Sequence, residues 1–127
     1  MFNNELLEKK EVKMDQINEL ISWNDFAKVE IRVGTIVSAK IFKEARKPAY
    51  KITIDFGDFG VKKTSAQITK LYLPEEIIGK QIIAVVNFPT KQIANTQSEC
   101  LILGAVNEDD VTLLTTDKLV KNGLRIG

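Results

Sequence analysis

Residues 29–42 read VEIRVGTIVSAKIF, an alternating run that sets Val29, Ile31, Val33, Thr35 and Val37 on one face and carries a single glycine, Gly34, inside it. Alternation at every second position marks a strand with two unlike faces. A glycine within such a run marks a bulge or a sharp bend, which a strand needs if it is to curl into a small barrel. A second alternating run, YKITIDF, places Tyr50, Ile52, Ile54 and Phe56 together. GDFG then turns the chain, and VKKTSAQI reads as a third, more polar strand. LPEEIIG has Pro74 at a first helical position and Gly79 as a stop, so it predicts one short helix. KQIIAVVNF reads as a buried strand, PTKQIANTQS as a loop, and ECLILGAV and VTLLTTD as two further strands joined by the acidic turn NEDD.

The order strand, strand, strand, short helix, strand, strand is that of an OB-fold barrel. An SH3-like barrel lacks the helix between its third and fourth strands. The expected fold is therefore all-β with short helices: a five-stranded OB-fold barrel with extra C-terminal strands. Ahead of it, NNELLEKKEVKMDQINELIS repeats Leu7, Met14 and Ile21 every seventh position and predicts an amphipathic helix. The expected organisation is a helical extension over residues 1–22 and one barrel domain over 23–127. In SWNDFAKVE, Ser22, Asn24 and Asp25 supply capping or turn chemistry, and Trp23 and Phe26 are assigned to the core, with an interface as the alternative.

The chain is 127 residues long and its net charge is +1, but the charge is unevenly spread. Residues 28–70 hold ten Lys or Arg against four Asp or Glu, while both flanking stretches are acidic. Such a distribution fits either a one-sided basic surface or scattered, solvated lysines. Histidine is absent and cysteine occurs once, at Cys100, within an apolar run. That excludes Ser-His-Asp and Cys-His catalysis, leaves no plausible zinc site, and reads Cys100 as a buried small hydrophobe. The charged, polar N-terminus and short apolar runs predict a cytoplasmic protein without membrane insertion.

Several catalytic look-alikes fail on context. Asp55–Phe56–Gly57 copies a kinase motif without its companions. GDFG matches the GxxG of KH domains, yet it lies between strands and Asp58 would repel phosphate. Lys63 beside Ser65 has no oxyanion hole, and Glu75 and Glu76 are first-turn acids that stabilise a helix N-terminus. No enzyme activity and no cofactor are expected.

Three stretches are more specific: KVEIRVGTIVSAKIFKEARKPAYKITIDFG, SAQITKLYLPEEIIGKQIIAVVNFP and SECLILGAV. Over residues 25–127 they resemble the tRNA-binding OB-domain family, and within it most closely the CsaA group of secretion chaperones. The resemblance implies a non-catalytic homodimer that binds unfolded or export-bound polypeptides and SecA, or alternatively tRNA. It also implies a binding groove formed by Arg46, Lys47, Lys51, Lys62, Lys63, Ser65, Ala66, Gln67, Asn87, Phe88, Lys91, Ser98 and Glu99. The loop NFPTKQIANTQSE departs from the pattern, with Thr90, Gln92, Asn95, Thr96 and Gln97 where relatives often carry Pro, Arg, Gly, an aromatic and Lys. Fewer charges and no stacking ring disfavour RNA more than peptide, since phosphate neutralisation and stacking carry RNA binding. Residues 1–20 lie outside the resemblance. They are either an added helix packing at the dimer interface or a stretch preceding a natural start at Met14.

Overall fold

The structure, a computed structural model, describes residues 19–127. The helix expected over the N-terminal extension lies, up to residue 18, outside the described residues. The first element is a short helix, α1 (Trp23–Ala27). Its start is a capping box: the Asp25 amide donates to Ser22 Oγ at 3.1 Å, and the Ser22 amide donates to Asp25 Oδ2 at 3.0 Å. Trp23 is not in the core; it is 73% exposed and leans on Phe26 with ring centroids 5.5 Å apart.

The barrel is built from β1 (Ile31–Ile41), β2 (Tyr50–Asp55), β3 (Val61–Ala66), β4 (Gln81–Val85) and β7 (Leu101–Ile102), in the order β3-β2-β1-β4-β7 with every pair antiparallel. Between β3 and β4 sits the expected short helix, α2 (Pro74–Ile77), with Pro74 at its start and the Glu76 carboxylate accepting from the Leu73 amide. Its Ile77 is fully buried, plugging the barrel. Gly79 follows at φ +89, the left-handed stop that the sequence predicts.

The two strand runs behave differently. In β2 the alternation holds, with Tyr50, Ile52 and Ile54 buried, and Phe56 just beyond it. In β1 the barrel core receives Gly34, Ile36 and Ala39; on the face of Thr35 and Val37, Val33 is buried as well, but Val37 is not. The pairing with β2 slips between Ile36 and Ser38, so Val37 is the bulged residue and stands 48% exposed. Gly34 has another role: a Cβ there would lie 2.5 Å from Ile54 Cγ2 and 2.8 Å from the Phe56 ring, so glycine lets these two groups cross the interior.

Two hairpins complete the fold. The segment predicted as a loop forms β5 (Lys91–Ile93) and β6 (Thr96–Ser98), turning through Ala94 at φ 49. ECLILGAV is not one strand but two: after β7 the chain leaves the barrel at Leu103 and continues as β8 (Gly104–Asn107), paired with β9 (Asp110–Leu113). Finally, residues 120–126 run along the edge of β1 that β2 leaves open. Val33 donates to the Leu124 carbonyl, Gly123 donates to the Val33 carbonyl, and Ile126 donates to the Ile31 carbonyl. We call this segment the strap.

Candidate binding face

The barrel closes at the seam between β3 and residues 98–100, and the seam is made largely by side chains. The Glu99 amide donates to the Lys63 carbonyl at 2.8 Å, and the Glu99 carboxylate accepts from the Lys63 amide at 2.9 Å. Thr64, fully buried, donates to the Cys100 carbonyl at 2.6 Å and lies 2.8 Å from Ser98 Oγ. Ser98 and Glu99 thus hold the barrel shut. Asn87 is committed in the same way: its side-chain oxygen accepts from the Glu30 amide and its nitrogen donates to the Lys28 carbonyl, tying the exit of α1 to the end of β4.

Outside the seam, register decides what meets. Lys40 of β1 faces Lys51 of β2, Lys51 faces Ser65 of β3, and Thr53 faces Lys63. Lys40, Lys51 and Lys63, with Thr53, line one wall of a cleft of about 430 Å³, and Asn95, Thr96 and Gln97 at the tip of the β5–β6 hairpin line the other. Lys51 also reaches Glu44 at 3.7 Å and sits 4.8 Å above the Phe42 ring. Like charges directly opposite in a sheet repel, so a lysine pair at this register favours a bound anion or carbonyl oxygens between them. Lys62 is not part of this cleft. It pairs with Ile54 on the other side of β3, close enough to Cys100 for its charge to act there.

The remaining predicted residues divide between two other concavities. Lys47 and Gln67 line a cleft of about 510 Å³ with Lys70 and the acidic tip of the β8–β9 hairpin. Phe88, Lys91 and Ser98 line a smaller one of about 200 Å³. Arg46 is exposed in the loop after β1, and Ala66 packs against the core. The stretch TSAQIT therefore serves several ends. Thr64 closes the seam, Ser65 stands beside Lys51, Ala66 and Ile68 face the core, and Gln67 opens onto the outer cleft. Lys40 was missed by sequence reasoning; its position opposite Lys51 follows from the slip at Val37, which has no local signal.

Cys100 is buried, and burial pushes its thiol up to about 11 from an ordinary value of 9.0, with Lys62 pulling the other way. The native thiol is therefore protonated and shielded, and it should label slowly until the protein is denatured. The unfolded chain ionises first as pH rises. The stabilisation from this group is complete below pH 9 and is lost as pH climbs towards 11. Urea titrations should show a decline over that window which Cys100→Ala shows less. Rapid labelling of the native protein would contradict the placement.

The sequence matches the family described as "Putative tRNA binding domain" over residues 31–125. Among solved structures, the chain is 48% identical to chaperone CsaA from Bacillus anthracis, with a TM-score of 0.82, covering 86% of this chain and 100% of that one. It is 56% identical to the CsaA chaperone protein of Picrophilus torridus, with a TM-score of 0.80, covering 85% and 100%. Among curated proteins it is 34% identical to the methionine–tRNA ligase of Pyrococcus horikoshii over 92% of this chain, and it spans 16% of that enzyme's length. Among the described residues no helix is long and apolar enough to cross a membrane, and no cluster of His, Cys, Asp or Glu is arranged to hold a metal.

Proposed function

This chain belongs to the tRNA binding domain family and, within it, to the CsaA type, and from that premise we propose that it is a non-catalytic, export-related chaperone that binds extended polypeptides. The observation that carries the reading is the end-to-end likeness to two CsaA chaperones, each spanned completely, against one sixth of the methionine–tRNA ligase. The chemistry of the face agrees. The half-exposed Phe88 ring, the amides of Asn95 and Gln97, and three lysines offer apolar contact, two-way hydrogen bonding and cations for backbone carbonyls. The unit responsible is the barrel over residues 23–127, working in the cytoplasm, with SecA as its partner at the export machinery.

A second reading, tRNA binding, draws on the family description and on the Lys40–Lys51–Lys63 cleft, where phosphates would relieve the repulsion between neighbouring lysines. Titration with tRNA and with a permanently unfolded polypeptide at several salt concentrations separates the two. Counterion release gives a steep salt slope for RNA and a shallow one for peptide. Tight, salt-steep tRNA binding without polypeptide binding would reverse the assignment.

The working unit is a homodimer. Leu20, Ile21 and Trp23 are exposed together at 97%, 69% and 73%, and Leu119 at 88%, an apolar load that a second copy would cover. The expected interface is two-fold and of roughly 2,000 Å² or more. Light scattering at micromolar concentration should give twice the chain mass; a monomer would contradict it.

A further inference from the structure

Asn122 is the only asparagine in the sequence that precedes a glycine, and the pair lies in the strap, where Gly123 meets Val33. We propose that Asn122–Gly123 is a self-modification site: when the strap peels from β1, the Gly123 nitrogen attacks the Asn122 side chain, releases ammonia and leaves an isoaspartyl linkage that keeps the strap from pairing again. The proposal is independent of which ligand the barrel binds.

The chemistry needs only water. The Gly123 nitrogen gives up its proton and bonds to Asn122 Cγ. The Cγ–Nδ2 bond breaks, and Nδ2 leaves as ammonia with that proton, closing a five-membered imide. One water then opens the imide. Addition at Cγ restores the original backbone as aspartate; addition at the main-chain carbonyl gives isoaspartate, whose backbone runs through Cβ and Cγ. Glycine has no Cβ to screen its nitrogen, so asparagine before glycine reacts more readily than asparagine before a larger residue.

The structure primes one partner and withholds the other. Asn122 Oδ1 accepts from Thr35 Oγ1 at 2.8 Å and from Gln81 Nε2 at 3.1 Å. Two donors aimed at this oxygen stabilise the negative charge it gains when Cγ is attacked, as an oxyanion hole does. The Gly123 amide, however, donates to the Val33 carbonyl at 2.7 Å, which holds its proton and keeps the nitrogen engaged.

The two ends of the strap are held unequally. Upstream, the Gln81 side chain clamps both backbone groups of Val120, at 2.6 and 3.1 Å. Downstream, Leu124 and Arg125 are exposed, and the hold comes from hydrogen bonds: Arg32 to the Gly123 carbonyl, Arg125 to the Ala27 carbonyl, and the pairing with β1. Segments with few buried apolar contacts open locally. Such opening frees the Gly123 nitrogen while Asn122 stays on its donors. Isoaspartate then places one extra carbon in the main chain between the Val120 clamp and the β1 pairing. Gly123 and Ile126 no longer fall in register with Val33 and Ile31.

The test ages the native protein in mildly alkaline buffer beside a sample kept unfolded in urea. Isoaspartate is read by enzymatic carboxyl methylation and located by peptide mapping. The native chain should convert at residue 122, more slowly than the unfolded one, and Asn122→Gln should give no signal. Arg32→Met should speed native conversion about tenfold, as loss of a hydrogen bond from a charged group gives. Thr35→Val should slow it by about tenfold or more and leave the unfolded rate unchanged. The converted fraction, separated by its added negative charge, should exchange the Val33 amide faster than the unconverted one. If Arg32→Met fails to fold, urea below the unfolding transition replaces it and should speed conversion in the same way. No native conversion while the unfolded chain converts, with or without that urea, would overturn the site. Faster conversion in Thr35→Val would overturn the role of its hydroxyl, and unchanged Val33 exchange would overturn the release of the strap.

Discussion

Gly123→Val is expected to destabilise the protein by about 3 kcal/mol or more, summing a backbone of order 1–3 kcal/mol and an overpacking of similar size. Gly123 sits at φ +93, a conformation that a β-branched residue adopts only under strain. A Cβ there would stand 2.5 Å from the Phe56 carbonyl oxygen and 3.1 Å from the Phe59 ring. The Phe56 carbonyl cannot retreat, and moving the Phe59 ring would disturb its contact with Arg32. Phe56 is fully buried, and the Phe59 ring is covered by the Arg32 guanidinium 3.6 Å above it. Arg32 also donates to the Gly123 carbonyl at 2.7 Å, so displacing the strap would break this contact as well. Gly60→Val is the control: φ is +87, yet nothing lies within 4 Å of its Cβ, so it carries the backbone part without the close approach. Urea denaturation of both variants gives the comparison. Equal losses would mean that the close approach of the strap contributes nothing.

The other large effect concerns ligand binding. Phe88→Ala should weaken polypeptide binding by about 1–3 kcal/mol, the range for a truncated interface anchor. The melting temperature should barely move, because the ring is half exposed. Neutralising Lys40, Lys51 and Lys63 together should lower polypeptide affinity modestly and with little dependence on salt. Against tRNA the order reverses. The triple variant should abolish binding, and each lost phosphate contact should lower the salt slope by close to one unit. Unchanged polypeptide binding at Phe88 together with lost binding in the triple variant would move the ligand to the lysine cleft.

Much of the barrel was legible because its signals are local. The alternation of β2, the proline and glycine bounding α2, and the turn before β9 each follow from a few neighbouring residues. The β5–β6 hairpin was not, because Gln92, Asn95, Thr96 and Gln97 give no apolar alternation; cross-strand polar contacts such as Gln97 to Gln92 at 2.8 Å accompany the pairing instead. The core side of β1 was also hidden. The bulge that exchanges its faces falls at Val37, where nothing in the sequence differs from a regular strand. At the candidate face, the resemblance groups Lys62 with Lys63 in one groove, but neighbours in a strand point to opposite faces, and the structure places them on opposite sides of β3. The commitments of Asn87 and Glu99 could not be read, since their partners lie 57 and 36 positions away.

The strap also bears on how the protein reaches this fold. The first half of β1 is bracketed by β4 on one side and by residues 123–126 on the other, and Arg32 bonds to a carbonyl 91 positions further along. Bringing such distant segments together costs loop entropy before any contact rewards it, and topologies rich in distant contacts fold slowly. During synthesis, β1 must wait with an open edge until residue 126 has left the ribosome. The β2–β3 hairpin can form long before. Refolding should therefore show early protection of β2 and β3 amides in pulsed hydrogen exchange, with Val33 and Gly123 becoming protected together and last.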